Sequence, residues 1–354
     1  MIKVLVVEDS KVVSAYLVHL LLSDPKITVV GTAANGLEAI AAVERYRPDV
    51  ITMDIIMPQM NGYEACSVIM QKFPTPIVVV TSLYDPSAVE VAFKALAAGA
   101  LAVVAKPQAP GHPDANRMIK DFLLNVKLMS EVKVVQRHHR IPYEKEASPP
   151  VVSKVDTLGA TTQIIVIGSS TGGQAANATI LSALPKDFSI PILIVQHIAV
   201  GFIHALVDWL SHSCNLIVEV AINGEKPLPG HVYFAPDKFH LEINSRRLMT
   251  FASGEPENIL CPSVDNLFNT VANVFGKNAV GVLLSGMGSD GADGLKKMHQ
   301  NGALTIAQDE ESCVVFGMPK QAIQRGAATH VLPPQAIAEA LIKISNLQNK
   351  GVSR

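Results

Sequence analysis

Two of the first three apolar runs in this chain end in carboxylates. The run over 2–7 is followed directly by Glu8 and Asp9, and the run over 49–54 ends in Asp54. If both runs form neighbouring parallel strands, the three carboxylates meet at the carboxyl edge of one sheet, where open α/β sheets bind their ligands. Carboxylates this close repel one another unless a cation lies among them, and their hard oxygen atoms suit Mg²⁺. The pattern therefore indicates a phosphoryl-acceptor site in the first third of the chain. We expect this site to regulate the rest of the chain.

The composition favours a packed chain of more than one domain. With 354 residues, 49% hydrophobic and only 17% charged, the chain is long enough for two domains with separate cores. The net charge of −2 gives no electrostatic reason to expect nucleic acid as a partner. The four cysteines are widely spaced, no secretory signal is recognised, and no apolar stretch reaches the roughly 20 residues of a membrane-spanning helix. We expect a cytoplasmic protein that does not span a membrane.

Residues 1–130 alternate strand-like and helix-like segments. The apolar runs lie at 2–7, 27–31, 49–54, 76–81 and 100–105, and segments of helical period lie near 10–23, 36–46, 61–72, 86–98 and 114–131. Short runs rich in Val, Ile and Ala are typical of strands buried on both faces. Five such strands alternating with helices predict a doubly wound parallel sheet of the α/β class.

The chain changes character after residue 130. Residues 131–160 contain a His138-His139 pair, charged residues and Ser148-Pro149-Pro150, and we interpret them as a linker. Residues 161–349 alternate again, with strand-like runs at 163–167, 191–196, 279–284 and 303–307. These runs predict a second doubly wound α/β domain. The stretch over 216–251 has three short strand-like runs separated by turn residues, which suggests a small antiparallel insert.

The first domain supplies the groups that phosphoryl transfer requires. Asp54 is the candidate nucleophile, Glu8 and Asp9 are candidate ligands of Mg²⁺, and Thr81 and Lys106 end the fourth and fifth predicted strands, where they can contact phosphoryl oxygens. An Asp that ends a strand is by itself usually a turn or cap residue. The five residues together, in this order at four strand ends, favour the functional interpretation.

These residues resemble the receiver domain of two-component response regulators. The resemblance covers residues 1 to about 125 and rests on the acidic pair, Asp-x-x-Met-Pro from Asp54, Asn61-Gly62, Thr81-Ser82 and Lys106-Pro107. It implies a flavodoxin-like fold and Mg²⁺-dependent phosphorylation of Asp54 by a partner histidine kinase.

The second domain begins with a strand that leads into Gly168-Ser169-Ser170-Thr171-Gly172-Gly173 and then into a helical segment. Strand, sharp turn and helix form the setting in which a G-x-S-x-G motif presents a serine nucleophile, and Gly168 and Gly172 flank Ser170. The helix N-terminus offers free N–H groups to a developing oxyanion. A nucleotide or anion loop and a purely structural turn remain alternatives, although neither the P-loop lysine nor the G-x-G-x-x-G spacing is present.

Two further residues complete a candidate triad. The next predicted strand ends in His197, which would face the same sheet edge as Ser170 and could act as its general base. A glycine-rich turn after 279–284 carries Asp290, our candidate for orienting the imidazole, with Asp293 as the second choice. The order Ser, His, Asp differs from that of α/β-hydrolases, so the elbow motif does not by itself assign that fold.

The second domain resembles the catalytic domain of chemotaxis protein-glutamate methylesterases. It rests on 168–173, Gln196-His197, 230–233, 262–265, 286–291 and 308–319. It implies a Rossmann-like esterase domain, the triad Ser170, His197 and Asp290, and Thr171 and Met287 near the oxyanion site. The substrates would be glutamate methyl esters, and particular glutamines for deamidation, on the cytoplasmic helices of chemoreceptors. No cofactor is expected for ester hydrolysis.

The resemblance also implies regulation: the unphosphorylated receiver covers the active site, and phosphorylation of Asp54 relieves this. The chain departs from the family pattern at three places. Ser169 is usually Ala in the family, residues 198–203 are commonly Met-Pro-Pro-Gly-Phe-Thr, and Cys261 is frequently Arg.

Two other classes of function are alternatives. A transcriptional regulator would need a helix-turn-helix and a basic patch, which we do not recognise in the second domain. A non-catalytic binding module with a decayed triad is disfavoured because all three triad residues are present.

Overall fold

The computed structural model of the chain describes residues 1–82, 86–109, 111–132, 134, 162–254 and 260–352. The chain divides into two compact units, within residues 1–146 and 147–354. The predicted linker over 131–160, including the His138-His139 pair, lies almost entirely outside the described residues, so its bounds stay a prediction. Among the described residues, no helix combines the length and the apolar character needed to cross a membrane.

Where the structure describes it, the first unit alternates five strands with five helices. In chain order they are β1 (Ile2–Val7), α1 (Lys11–Leu22), β2 (Ile27–Ala33), α2 (Gly36–Tyr46), β3 (Val50–Met53), α3 (Gly62–Lys72), β4 (Ile77–Thr81), α4 (Pro86–Ala97), β5 (Ala102–Ala105) and α5 (Ala115–Ser130). Asn35 and Asn61 start α2 and α3, and each side chain accepts the backbone N–H three residues on, as N-cap residues do. The predicted alternation is confirmed.

The five strands form one parallel sheet in the order β2-β1-β3-β4-β5. This is the doubly wound order in which ligands bind at the carboxyl edge beside the point where the winding reverses, between β1 and β3. Strands β1, β3, β4 and β5 are buried along most of their length, as a sheet covered by helices on both faces requires, whereas β2 at the edge is mostly half-buried. The acidic residues that follow β1 and β3 therefore lie at the switch point of the sheet.

The second unit contains nine strands and six helices among the described residues. They are β6 (Ile164–Ser169), α6 (Gly173–Ala183), β7 (Ile192–Gln196), α7 (Ile203–Ser211), β8 (Ile217–Val220), β9 (His231–Phe234), β10 (Phe239–Ile243), β11 (Met249–Ser253), α8 (Val264–Phe275), β12 (Ala279–Leu283), α9 (Ala292–Gln300), β13 (Leu304–Gln308), α10 (Met318–Gln324), β14 (His330–Leu332) and α11 (Pro334–Val352).

Seven of these strands form a parallel sheet in the order β14-β13-β12-β6-β7-β9-β8. The central strands β12, β6 and β7 are adjacent and fully buried, and α8 and α9 pack against them. The candidate catalytic residues follow these three strands. They therefore lie at one edge of the sheet, near its centre.

The predicted antiparallel insert is smaller than the sequence suggested. In the described part of the chain, β10 and β11 alone pair antiparallel, as a separate two-stranded sheet. β8 and β9 instead extend the main sheet, and both run parallel to β7. The prediction of antiparallel pairing for 216–234 was wrong. The chain crosses from β7 to β8 through α7, and residues 221–230 are long enough to bring it back so that β9 runs parallel to β8. The turn residues there do not close a hairpin.

Candidate functional sites

The three carboxylates of the first domain come together as predicted. β1 pairs with β3 with Val7 opposite Met53, so the residues that follow both strands are neighbours. One carboxylate oxygen from each of Glu8, Asp9 and Asp54 lies within 4.8 Å of the others. Glu8 and Asp54 are buried and Asp9 is exposed, which leaves the cluster open to solvent on one side.

Lys106 follows β5 and reaches into this acidic cluster. Its Nζ lies 2.8 Å from Asp54 Oδ2 and 2.9 Å from Glu8 Oε2. Burial, together with the charge of Asp54, raises the pKa of Glu8 to about 7, and burial also raises the pKa of Asp54. Burial alone would lower the pKa of Lys106, but its two carboxylate partners raise it above the ordinary value. The lysine therefore stays charged and offsets part of the repulsion.

The loop after Asp54 is held by the Asn61-Gly62 pair. Gly62 N–H donates to the Ile55 carbonyl at 2.9 Å, and a Cβ on Gly62 would lie 2.0 Å from the Asp54 carbonyl oxygen. Only glycine fits this close approach. The motif thus fixes the backbone that carries the candidate nucleophile.

Thr81 ends β4 and is fully buried, and its hydroxyl has no hydrogen-bond partner among the described residues. Buried hydroxyl groups are usually paired, so the Thr81 hydroxyl is free to donate to a bound group. Three hard carboxylate oxygens at short range match the ligands that Mg²⁺ takes. The residues present therefore fit a magnesium ion and a phosphoryl group together.

In the second domain, Ser170 lies in the turn between β6 and α6 and is partly exposed. Its N–H donates to the Ser285 carbonyl at 3.0 Å, and its carbonyl accepts from Gly173 N–H at 2.9 Å. Gly172 has φ +80°, and a Cβ there would lie 2.4 Å from Val314 Cβ, so both the conformation and the space require glycine. The sharp turn needed to present a serine hydroxyl is present.

The neighbouring serine is in a different environment. Ser169 is fully buried; its hydroxyl donates to Gln196 Oε1 at 2.7 Å and accepts from Asn177 Nδ2 at 2.9 Å. Both hydrogen-bonding directions of that hydroxyl are thus used inside the protein. Ser170 is the accessible hydroxyl of the pair, in agreement with the choice made from the flanking glycines.

His197 follows β7, and its backbone N–H donates to the Ser169 carbonyl at 2.8 Å. Its ring Nε2 lies 2.9 Å from Asp290 Oδ2. The other ring nitrogen, Nδ1, is therefore the one left to accept a proton. Among the described residues, no hydrogen bond joins His197 to the Ser170 hydroxyl, and such contacts often tighten only when substrate binds.

Asp290 lies in the turn between β12 and α9, and its carboxylate contacts the N-terminus of α8. Besides His197, it accepts hydrogen bonds from the Ser263 hydroxyl at 2.8 Å, Val264 N–H at 2.7 Å and Asp265 N–H at 3.1 Å. Burial acts to raise its pKa, but His197 and the helix N–H groups outweigh burial and lower the pKa to about 2. Asp290 is therefore a fixed negative charge beside the imidazole.

The candidate oxyanion residues are Thr171, which follows Ser170 in the chain, and Met287, in the turn between β12 and α9. Among the described residues, the N–H of Thr171 donates to no hydrogen-bond acceptor, and the residue after a nucleophilic serine is where such a donor is used. Met287 is 42% exposed and follows Gly286, whose backbone contacts Ser170: a Cβ on Gly286 would lie 2.7 Å from Ser170 Cβ. Thr171 therefore has a free N–H beside the serine, and Met287 follows a glycine that approaches the serine closely.

The sequence interpretation missed Ser263 and Gln196, which contact triad residues. Ser263 precedes α8 in the N-cap position, but its hydroxyl bonds Asp290 rather than its own helix. A serine directly before a helix is a recognisable signal, yet nothing in its spacing points to Asp290. Asp293, the second choice for the triad, is exposed in α9 and pairs with Arg325 at 2.6 Å.

Comparison with known proteins identifies the family of both domains. A family model described as CheB methylesterase matches residues 165–341, and one described as response regulator receiver domain matches residues 4–113. A protein-glutamate methylesterase/protein-glutamine glutaminase from Nitrosospira multiformis is 51% identical over 97% of this chain and 97% of its own length. A relative of the same description from Syntrophus aciditrophicus is 49% identical over 98% of this chain and 99% of its own length.

Among solved structures, the CheB methylesterase catalytic domain of Thermotoga maritima is 40% identical; the match covers 52% of this chain and 98% of that one, with a TM-score of 0.49. The two family models together make this chain a response regulator with a methylesterase domain. Over nearly its whole length, the chain belongs to the family of protein-glutamate methylesterases/protein-glutamine glutaminases.

Proposed function

We propose that this chain is a phosphorylation-controlled serine hydrolase that removes methyl groups from glutamate methyl esters on chemoreceptors. The observation that carries the proposal is the position of accessible Ser170, in a strand–helix turn, next to the end of β7, where His197 is paired with Asp290 at 2.9 Å. Nucleophile, base and orienting carboxylate are the three parts that such chemistry needs.

The acylation step follows from these positions. The Ser170 hydroxyl proton passes to His197 Nδ1 while Oγ attacks the ester carbonyl carbon. The Thr171 N–H, with the backbone at Met287, stabilises the negative charge that develops on the carbonyl oxygen. When the tetrahedral intermediate collapses, the bond to the methoxy oxygen breaks, and methanol leaves with the proton from His197. Asp290 keeps the imidazole oriented and stabilises its charged form.

Deacylation repeats the same transfers with water. His197 Nδ1 takes a proton from water as the water oxygen attacks the acyl carbon, and Ser170 leaves with that proton, which releases the glutamate side chain. A glutamine substrate would pass through the same acyl-enzyme, with ammonia as the leaving group. We therefore extend the proposal to deamidation of particular receptor glutamines.

We assign the regulatory role to the first domain. Asp54 accepts a phosphoryl group from a chemotaxis histidine kinase, Lys106 neutralises one phosphoryl oxygen, and the unpaired Thr81 hydroxyl donates to another. Glu8, Asp9 and Asp54 would hold Mg²⁺, which when bound neutralises charge on the phosphoryl group. Residues 1–130 then form the receiver, 131–160 the linker and 161–349 the catalytic domain, acting on the cytoplasmic side of the receptors.

The test is methanol release from methylated chemoreceptor membranes, with and without a small phosphodonor and Mg²⁺. Ser170→Ala should abolish release, whereas the matched variant Ser169→Ala should lower it without abolishing it, because the buried Ser169 hydroxyl acts only through Gln196, which Asn177 still reaches at 3.3 Å. Release that rises with the phosphodonor and is lost only in Ser170→Ala supports the proposal. Release unaffected by Ser170→Ala would refute the nucleophile, and no release from any receptor would refute the substrate class.

A further inference from the structure

Gln196 connects the backbones of the two residues proposed to exchange a proton. It is the last residue of β7 and is 1% exposed. Its Nε2 donates to the Ser170 carbonyl at 2.8 Å and to the His197 carbonyl at 3.0 Å. One amide group thus connects the turn after β6, which carries Ser170, to His197 at the end of β7.

The Gln196 amide is itself held in one orientation. Its Oε1 accepts from the Ser169 hydroxyl at 2.7 Å and from Asn177 Nδ2 at 3.3 Å, and Asn177 also donates to Ser169 at 2.9 Å. All three side chains are buried. A flipped amide would set Oε1 against two carbonyl oxygens, so the network allows only the arrangement in which Nε2 faces the catalytic residues.

The sheet alone does not fix these two residues. The last paired positions of the two strands are Ser169 and Gln196, and one further bond joins His197 N–H to the Ser169 carbonyl. Beyond this point, Ser170 enters its turn towards α6 and His197 enters the loop before α7. The Gln196 side chain provides the next connection between the two chain segments, where the ladder has ended.

We propose that Gln196 is a positioning residue that sets the distance and angle between Ser170 and His197 through their backbone carbonyls, without contacting substrate. The inference rests on the proposed hydrolase function of the same site. Proton transfer and attack depend steeply on geometry, and a displacement of about 1 Å can cost roughly 10²-fold in rate. Loss of the bridge should therefore slow the chemical step and leave substrate binding largely unchanged.

The experiment compares Gln196→Met, which keeps the length and removes both donors, with Gln174→Met as a matched control. Gln174 is also a buried glutamine at this sheet edge, and its Oε1 has no partner among the described residues. An esterase-directed phosphonate gives the rate and the final stoichiometry of Ser170 labelling, and ester hydrolysis by the full chain gives kcat, KM and the pH profile. Gln196→Glu, which is isosteric, serves if the methionine variant does not fold.

For the Gln196 variant we expect full final labelling, a labelling rate and kcat lowered about 10–100-fold, and KM within about twofold of wild type. The midpoint of the pH profile should not move, because His197 keeps its Asp290 partner. Gln174→Met should stay within about twofold in every readout.

Two results would overturn the inference while leaving the proposed function intact. The first is a lower labelled fraction with a normal rate per labelled site, which would indicate a structural role only. The second is an equal loss in Gln174→Met. A wild-type chain that neither labels nor hydrolyses ester would instead refute the proposed function, and the inference with it.

Discussion

His197 faces Asp290 through Nε2, at 2.9 Å, so the proton of the neutral imidazole is held on Nε2 and Nδ1 is the basic nitrogen. The assignment is stable because Asp290 accepts two helix N–H groups and the Ser263 hydroxyl and therefore stays ionised. The carboxylate both selects the tautomer and anchors α8. Changes at Asp290 should affect catalysis and stability together.

Asp290→Asn should lower kcat about 10²–10⁴-fold, because an amide can donate to Nε2 and stabilise the tautomer that cannot accept the Ser170 proton. KM should change little. Steady-state ester hydrolysis measures the effect, and Asp293→Asn, in an exposed position on α9, is the control expected to retain wild-type kcat. Retention of more than a third of wild-type kcat by Asp290→Asn would contradict the assignment of this residue.

The buried carboxyl group of Asp265 should make the free energy of unfolding depend on pH. Burial and the charge of Asp290 raise the pKa of Asp265 from its ordinary value of 3.8 to about 6. Because the ionised form is disfavoured in the folded state, this group costs stability as the pH rises from about 4 to 6, and the cost is then constant. Asp265→Asn keeps an acceptor for Gly294 N–H and should therefore gain stability over wild type across that window.

The expected gain is about 1–2 kcal/mol above pH 6, because the side chain is partly exposed and solvent reduces the full effect. Urea unfolding of both proteins at a series of pH values measures it. Asp290 contributes with the opposite sign: its stabilisation is present above about pH 4 and is lost as the pH falls towards its folded-state pKa of about 2. A difference between Asp265→Asn and wild type that does not vary with pH would count against the Asp265 prediction.

Gly286→Ala should inactivate the enzyme by displacing Ser170. The added Cβ would lie 2.3 Å from Met318 Sδ and 2.7 Å from Ser170 Cβ, and the fully bonded backbone around it leaves little room to move. We expect a loss of about 10²-fold or more in kcat. Gly288→Ala is the control: its Cβ meets nothing within 4 Å, so only its φ of +86° is strained, at about 1 kcal/mol. Comparable kcat values for the two variants would contradict this explanation.

Lys106→Met should separate metal binding from phosphorylation. Removing the ammonium leaves two buried carboxylates without their partner, so the metal-free receiver should lose about 2–3 kcal/mol. Mg²⁺ should bind more tightly because it no longer competes with Lys106, while phosphorylation of Asp54 by a small phosphodonor should slow. Calorimetric titration and a phosphorylation time course measure the two effects. The control is Lys127→Met, which breaks a 2.8 Å pair with Asp24, a residue outside the acidic cluster. Weaker Mg²⁺ binding in Lys106→Met would refute the competition.

The sequence predicted most of what depends on local pattern. The alternation of apolar runs and helices is found in both domains, and the residues at strand ends meet at the sheet edges, because in a parallel sheet the carboxyl ends of neighbouring strands share an edge. The parallel pairing of β8 with β9 was missed, since short strands and turn residues look alike in hairpins and in crossovers. Strand direction is decided by the path of the chain, which periodicity does not encode.

The contacts made by Ser263 and Gln196 could not have been predicted in this way. Ser263 reaches Asp290 across 27 positions, and Gln196 reaches Ser169 across the same number. Both are common residue types in unremarkable spacing, and their roles depend on how side chains pack after the sheet has formed. Triad residues are recognisable because few residue types can perform their chemistry, whereas many could orient them.

The triad residues meet only after strands that are distant along the chain have paired in the sheet. Ser170 and His197 follow strands that are adjacent along the chain, but His197 and Asp290 are 93 positions apart and meet only when β12 has docked beside β6. A folding intermediate that has formed the β6–α6–β7 unit holds the nucleophile and the base but not the carboxylate. During refolding, ester hydrolysis should therefore recover no earlier than the docking of β12 beside β6, which makes enzymatic activity a reporter of that long-range contact.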